Sequence, residues 1–175
     1  LPIIAFYDPQ GANLNLLVMK CGNAACSSGN TTTVVESTND VGMEPSIAIG
    51  SDGLPIISFY DNTNFDLRVI QCANQSCSTN NGGVAVDTGN NVGRYSRIII
   101  GSDNLPFVAY YDVTNGDLRA TNCGNMRCSS GNTTTAISTV NDVGTFIDVA
   151  IQNKGQYSGG PIIVFYDATG GDLKA

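Results

Sequence analysis

The sequence predicts an all-β fold, organised as a β-propeller-like array of four-stranded antiparallel blades. The 175-residue chain repeats itself about every 51 residues, and Val, Ile, Thr and Tyr dominate its strand-like runs. Clusters of Gly, Asn, Asp and Ser separate these runs, and no stretch shows the roughly 3.6-residue period of an amphipathic helix. A four-stranded unit that recurs every ~40–50 residues is typical of a propeller blade.

Three cysteine pairs mark the repeat, each 51 residues from the next: Cys21/Cys26, Cys72/Cys77 and Cys123/Cys128. A segment Asn-Asp-Val-Gly or Asn-Asn-Val-Gly recurs at the same step, at residues 39–42, 90–93 and 141–144. A Pro, an apolar run and Tyr-Asp also recur, and their spacing widens to 53 and 55 residues at the two ends. We place the additional residues in loops near 9–11 and 154–159, because repeat folds tolerate loop insertions.

Each unit is predicted to contain four short strands, described here for the second unit. The first strand covers residues 46–49, and the second covers 54–60, which is apolar at almost every position and therefore needs cover on both faces. A turn leads into the third strand at 67–72. A Thr- or Val-rich fourth strand follows each cysteine loop, at 32–36, 83–87 and 134–139. The Asn-Asp-Val-Gly segments are expected to be exposed loops between units, with a packing role or as repeated ligand pockets.

The count comes to roughly fourteen strands, or about three and a half blades, in a single array over residues 1–175. The approximate units are 1–42, 43–93, 94–144 and 145–175, of which the first and last are incomplete. Because propellers usually close with at least about four blades, we expect the chain to be a fragment of a longer one. An open superhelical stack of the same sheets is the alternative architecture, whereas a β-sandwich has no reason to repeat its sequence.

Residues 60–67 (YDNTNFDL) and 111–118 (YDVTNGDL) resemble the "YYDxTNGDLK" units that occur in tandem in large secreted and cell-surface proteins, mostly bacterial. Residues 46–55 (SIAIGSDGLP) fit the same pattern, and the resemblance covers essentially the whole chain. It implies a propeller-like fold and an extracellular or cell-surface location, but no uniform activity. The cysteine pair is a departure, because the commoner version has a Trp-containing hairpin at that point.

The composition excludes several classes of function. With a net charge of −7 and only 8 Lys and Arg, the chain lacks the basic surface that nucleic-acid phosphates require. It contains no His, which removes Ser-His-Asp and Cys-His catalytic arrangements and nearly all His-ligated metal sites. No apolar run approaches the ~20 residues of a membrane-spanning helix. We therefore predict neither nucleic-acid binding nor membrane insertion.

The cysteines are predicted to form local disulfides within each pair, in an oxidising compartment. Such a bridge closes a short loop and contributes roughly 2 kcal/mol, by stapling the hairpin between the third and fourth strands. Zinc binding is the alternative role of these thiolates. However, two thiolates per blade, on separate blades, do not make a tetrahedral zinc site without His.

Pairs of acidic residues bracket the predicted turn of each repeat: Asp61/Asp66, Asp112/Asp117 and Asp167/Asp172, with Asp8/Asn15 in the first unit. Asx-turns that cap the hairpin are the structural interpretation. Calcium, a hard cation that takes about six to eight oxygen ligands, is the alternative and the only cofactor considered. Paired carboxylates also serve glycoside hydrolysis, but a catalytic pair is expected once rather than in every repeat.

Three asparagines fit the N-glycosylation acceptor pattern: Asn30, Asn74 and Asn132. The Ser- and Thr-rich runs at 27–33 and 129–135 are candidates for O-linked sugars instead. In a source that does not glycosylate secreted proteins, these segments are polar turns.

The favoured hypothesis is a non-enzymatic extracellular structural or interaction protein, which assembles with copies of itself or other surface proteins into a surface layer or filament. The alternative is a carbohydrate-binding propeller, although Trp is absent and Tyr60, Tyr111 and Tyr166 lie on core-like strands. No residue pattern supports an enzyme. Exposed aromatic residues that recur with the repeat would favour glycan binding, whereas exposed apolar or edge-strand surfaces would favour assembly.

Overall fold

The computed structural model describes residues 1–10, 14–152 and 159–175. These residues form 14 strands and no helix, which confirms the all-β prediction, and none of them forms an apolar helix long enough to cross a membrane. The loop insertions predicted near 9–11 and 154–159 fall largely outside the described residues. The strands are β1 (Ile3–Asp8), β2 (Asn15–Lys20), β3 (Thr31–Glu36), β4 (Val41–Ile49), β5 (Pro55–Asp61), β6 (Asp66–Cys72), β7 (Asn80–Asp87), β8 (Val92–Ile100), β9 (Pro106–Asp112), β10 (Asp117–Asn122), β11 (Thr133–Ser138), β12 (Val143–Ile151), β13 (Pro161–Asp167) and β14 (Asp172–Lys174).

The strands form four antiparallel sheets in which neighbours in space are neighbours in sequence. The first sheet contains β1–β3, the second β4–β7, the third β8–β11 and the fourth β12–β14. Successive sheets pack against one another, with the first strands β4, β8 and β12 side by side. Within the described residues the sheets do not close into a ring, and the architecture is the predicted β-propeller-like array.

Apolar side chains fill the space between each pair of successive sheets. We call the face of a sheet that meets the preceding sheet its leading face, and the opposite face its trailing face. In the second sheet, Ile57 and Ile70 lie on the leading face and pack against Leu16 of the first sheet. Ile56 and Leu67 lie on the trailing face and pack against the third sheet. Strand β5 is buried at every position, as expected for a strand covered on both faces.

The first strand of each unit begins earlier than predicted. Strand β4 starts at Val41 rather than at residue 46, and the Val41 N–H donates to the Leu14 carbonyl (3.1 Å). A β-bulge follows, where Glu44 has φ +51°, and Tyr95 and Phe146 adopt the equivalent conformation in β8 and β12 (φ +54° and +50°). Because a bulge inserts a residue and re-aims side chains, the alternating pattern that reveals a strand in sequence is lost here.

The glycines of the Asn-Asp-Val-Gly segments are buried, which corrects the prediction that these whole segments are exposed loops: Gly42, Gly93 and Gly144. Their φ angles lie between +97° and +106°. A Cβ atom on Gly93 would lie 2.6 Å from the Cα of Leu67 in the preceding sheet, closer than atoms pack. The Val-Gly half therefore belongs to the packed strand, and only the half at 39–40, 90–91 and 141–142 lies at the surface.

The surface halves of these segments connect successive sheets. The Tyr7 hydroxyl donates to Asp40 Oδ1 (2.7 Å), and Tyr111 donates likewise to Asp142 Oδ1 (2.6 Å). The Asp40 N–H donates to Thr63 Oγ1 in the hairpin of the second sheet (3.0 Å). Burial and the Asp40 carboxylate raise the pKa of Tyr7 to about 12. These contacts support a packing role for the segments, which is one of the two roles that their recurrence predicts.

Candidate functional site

The structure contains the three predicted disulfides, Cys21–Cys26, Cys72–Cys77 and Cys123–Cys128. An Asn two residues after the first cysteine organises each loop. Asn23 Oδ1 accepts the backbone N–H groups of Ala25 and Ser27, both at 3.1 Å, and Asn74 and Asn125 repeat this arrangement. Three local disulfides are typical of a protein that folds in an oxidising compartment, which favours an extracellular or secreted location.

The disulfides also take part in packing between sheets. Cys72–Cys77 is buried against the first sheet, and Cys123–Cys128 is buried against the second. Cys26 of the first disulfide is only half-buried, because the described residues place no sheet in front of the first one. Each bridge therefore belongs to the leading face of its sheet.

The predicted acidic pairs lie directly opposite each other at the hairpin ends, as Asp61/Asp66, Asp112/Asp117 and Asp167/Asp172. Asp61 Oδ1 accepts the backbone N–H groups of Thr63 and Asn64, both at 3.0 Å, which is the Asx-turn interpretation. Asp61 Oδ2 accepts from the Asn64 side chain (3.0 Å) and from Arg68 (3.4 Å). Desolvation, together with the Asp61 carboxylate, raises the pKa of Asp66.

The structure does not gather these pairs into a larger cluster. Within the described ranges, no group of three or more Asp, Glu or Cys side chains is arranged to hold a metal ion. Asp8 and Asn15 face each other in the first hairpin in the same way as the acidic pairs. Calcium binding at these turns stays a prediction.

A basic residue on the third strand of the second and third sheets links two sheets. Arg68 pairs with Asp61 of its own hairpin and with Glu36 of the first sheet, each at 3.4 Å. Arg119 repeats this arrangement one unit later. The equivalent position in the first sheet is Leu17, so that sheet lacks the cation. These bridges are not among the features predicted from the sequence, although the two arginines lie 51 residues apart.

The three predicted glycosylation sites, Asn30, Asn74 and Asn132, all lie in or beside the disulfide loops. Asn30 Nδ2 donates to the Cys26 carbonyl (2.7 Å), and its Oδ1 accepts the Gly22 N–H (3.1 Å). Asn132 makes the same two bonds in the third unit. These side chains therefore shape the loops, and glycosylation at them, or at 27–33 and 129–135, stays a prediction.

Among the described residues, no sheet covers the leading face of the first sheet, which is apolar. Ile4 is 40% exposed there, whereas its equivalent Ile57 in the second sheet is fully buried. The absence of a cation at Leu17 makes this face less polar than the internal leading faces. The strand register places these side chains on it: Ile4, Phe6, Leu17, Met19 and Val34.

Likewise, no sheet in the described part of the chain covers the trailing face of the fourth sheet. Ile162 is 44% exposed and Leu173 is 75% exposed, whereas their equivalents Ile56 and Leu67 are fully buried against the third sheet. Val164 and Tyr166 lie on the same face and are half-buried. The two ends of the described array therefore expose a leading face and a trailing face, the two kinds of face that pack together between successive sheets.

Aromatic side chains lie beside the starts of the first strands and form what we call the aromatic stripe: Tyr60, Tyr95, Tyr111, Phe146 and Tyr166. The ring centroids of Tyr95 and Tyr111 are 6.2 Å apart, those of Tyr95 and Phe146 are 5.0 Å apart, and those of Phe146 and Tyr166 are 6.3 Å apart. These distances are typical of favourable aromatic pairs. Phe146 is 68% exposed, and its two ring neighbours, Tyr95 and Tyr166, are half-buried.

An ion pair continues the stripe towards the second sheet. The Arg94 guanidinium lies over the rings of Tyr60 (5.2 Å) and Tyr95 (5.6 Å). Arg94 Nε and Nη2 donate to Glu44 Oε1 at 3.0 and 2.6 Å, and these bonds raise the pKa of Arg94. Glu44 Oε2 accepts the Tyr95 backbone N–H (2.5 Å). The stripe therefore has a fixed cation at one end and an exposed ring near the other.

Sequence reasoning found only the repeated tyrosines of this group. Glu44, Tyr95 and Phe146 occupy one position of the repeat, and the residue type there changes from unit to unit. A position whose residue type varies, next to segments that recur in every unit, is the sequence signal that points to these residues. Tyr60 is buried, as expected for a core-like strand, but Tyr111 and Tyr166 reach the surface.

No protein-family model and no curated protein matches this sequence. A solved structure with a similar fold is a GH43 glycoside hydrolase, whose engineered active site displays both endo-xylanase and exo-arabinofuranosidase activity. The match has a TM-score of 0.51 at 11% identity, and it covers 95% of this chain but only 36% of that one. At this identity the likeness shows the fold alone, which is that of a β-propeller.

Proposed function

We propose that this chain is a non-enzymatic extracellular interaction protein that assembles head to tail with copies of itself, as in a filament or surface layer. One observation carries the proposal. The uncovered leading face of the first sheet and the uncovered trailing face of the fourth are the two sides of a contact that the chain makes internally between each pair of successive sheets.

The residues on these faces support a contact of the internal kind. When the first sheet of one copy packs on the fourth sheet of another, Ile4 and Phe6 meet Ile162 and Leu173. Burial of apolar surface stabilises such a contact by about 25 cal/mol per Å². Because the two faces differ, the contact is heterologous, and it propagates as an open array unless its rotation closes a ring.

The chemistry of the repeat supports a role without catalysis. The Asp61 and Asp112 carboxylates accept hydrogen bonds from their own turns and from an arginine, in the same way in two successive units. The sequence also has no His to act as a general base. The three disulfides support the extracellular location. The hydrolase activities described for the GH43 structure are not transferred to this chain.

Sedimentation equilibrium of the oxidised chain, with electron microscopy of concentrated samples, tests the proposal. We expect the mass of the wild-type chain to rise with concentration. Ile4→Glu blocks the leading face and Ile162→Glu blocks the trailing face, and the folded chain tolerates both charges because these positions are 40% and 44% exposed. Each variant alone should stay monomeric. An equimolar mixture should form a one-to-one dimer, because each variant keeps one intact face.

The control variant is Val140→Glu, which adds the same charge to an exposed loop on neither face and should assemble like the wild type. Circular dichroism checks that all variants fold. A wild-type chain that stays monomeric at every concentration contradicts the proposal. Self-association of either blocked variant also contradicts it, because that result requires a symmetrical contact.

A further inference from the structure

We infer that the aromatic stripe is a binding site for a neutral oligosaccharide. This inference is independent of head-to-tail assembly, since the stripe crosses the starts of the first strands and shares only Tyr166 with the trailing face. A glycan site is also a different function from assembly, because its ligand is a sugar chain and not a copy of the protein.

The first support is the exposure of the rings. If these rings were buried, they would simply be part of the core. Phe146, however, is 68% exposed, and it touches the rings of both Tyr95 and Tyr166. Phe146 also lies in the left-handed conformation of a β-bulge (φ +50°), which is unfavourable for a bulky residue. The bulge directs this ring away from the regular strand positions. The fold therefore holds an apolar ring in water beside two others.

The second support is the polar groups that lie along the rings. Arg94 is fixed over Tyr60 and Tyr95 by two bonds from Nε and Nη2 to Glu44, so the donors on Nη1 remain outside this ion pair. At the next sheet, the Tyr111 hydroxyl is held by Asp142, whose carboxylate is exposed. Fixed donors and acceptors beside aromatic faces are what a small-ligand site needs for orientation.

These features together select the ligand class. A pyranose ring offers C–H faces that stack on aromatic rings and hydroxyl groups that bond to charged or amide side chains. The net charge of −7 and the nearby Glu44 and Asp142 disfavour an anionic ligand. The rings contact one another in the order Tyr111, Tyr95, Phe146 and Tyr166, with centroids 5.0 to 6.3 Å apart and the rings tilted by 42° to 70°. A series of four rings suits an oligosaccharide more than a single sugar.

The experiment uses the double variant Ile4→Glu, Ile162→Glu, so that failure of assembly and failure of glycan binding are read separately. The labelled protein is applied to an array of neutral oligosaccharides, and the strongest ligand is then titrated by calorimetry. Phe146→Ala should weaken binding about tenfold or more, and Phe146→Leu, which keeps an apolar side chain, should weaken it nearly as much.

Phe65→Ala is the matched control. Phe65 is an exposed Phe with the same left-handed backbone (φ +64°), in the hairpin turn of the second sheet and outside the ring contacts of the stripe. Its removal should change binding less than about twofold. The inference is overturned if no neutral oligosaccharide on the array binds. It is also overturned if Phe146→Ala binds as tightly as the Phe65→Ala control.

Discussion

Equivalent residues have opposite surroundings in the interior of the array and at its ends. Leu118 of the third sheet is fully buried, whereas the equivalent Leu173 of the fourth sheet is 75% exposed. The disulfide Cys123–Cys128 is buried against the preceding sheet, whereas Cys26 of the first bridge is half-buried. In a repeat architecture, the neighbouring unit supplies the cover that a single unit lacks. The same sequence pattern is therefore buried in the middle of the described array and exposed at its edges.

The largest expected effect comes from replacing a buried leucine with alanine and comparing it with the same change at its exposed equivalent. Leu118→Ala should lower the free energy of unfolding by about 3–5 kcal/mol, because it leaves a cavity in the core between the third and fourth sheets. Leu173→Ala should cost less than about 0.5 kcal/mol, because the side chain is already in water. Urea unfolding at a concentration where the chain is monomeric measures both. Similar losses in the two variants would show that Leu173 is covered in solution.

Most of the fold is predictable from the sequence because its signals are local and recur. The buried run that ends at Tyr60 predicts β5 with cover on both faces, and the spacing of Cys72 and Cys77 predicts a local bridge. The bulge at Glu44 is not predictable in this way, because a bulge breaks the alternation of side chains and its left-handed residue is not a Gly. The first strands were consequently predicted too short.

The next effect in size concerns Gly93, where the second and third sheets approach closely. Gly93→Ala should lower the free energy of unfolding by about 2–4 kcal/mol, because its Cβ would meet Leu67 backbone and because Ala is strained at φ +103°. Gly53→Ala is the matched control, since Gly53 also has a positive φ (+77°) but has no atom within 4 Å of its Cβ position. It should cost only about 1 kcal/mol. Equal losses in the two variants would mean that backbone strain, and not contact between the sheets, requires the glycine.

The candidate surfaces were predictable only in part. The incomplete units predict uncovered edges in general terms, but the sequence does not identify Ile4 or Ile162 as the exposed members of otherwise buried positions. The aromatic stripe depends on contacts between residues of different units, such as Tyr95 with Phe146. Such contacts follow from the stacking of sheets and not from any pattern within one unit.

The smallest expected effect concerns the pH dependence of the hairpin in the fourth sheet. Lys174 and the Gly170 N–H bond the Asp167 carboxylate and lower the pKa of Asp167 to about 2. In the preceding sheet, the position equivalent to Asp87 is Ser138, so Lys174 has no second carboxylate there as Arg119 does. Because the pKa is depressed in the folded state, the stabilisation is complete above the unfolded value of about 3.9 and is lost as the pH falls towards about 2.

Carbon-detected NMR titration of the Asp167 carboxyl group measures this directly. Lys174→Gln should move the midpoint upwards, towards the ordinary value for Asp, because the main source of the depression is removed. Lys20→Gln removes one positive charge from the first sheet and should leave the midpoint unchanged. If the Asp167 midpoint stays low without Lys174, the Gly170 N–H and the Asn141 side chain hold the carboxylate. The hairpin of the fourth sheet would then keep its geometry without a cation. At the equivalent position of the second and third sheets, Arg68 and Arg119 also link each sheet to the preceding one.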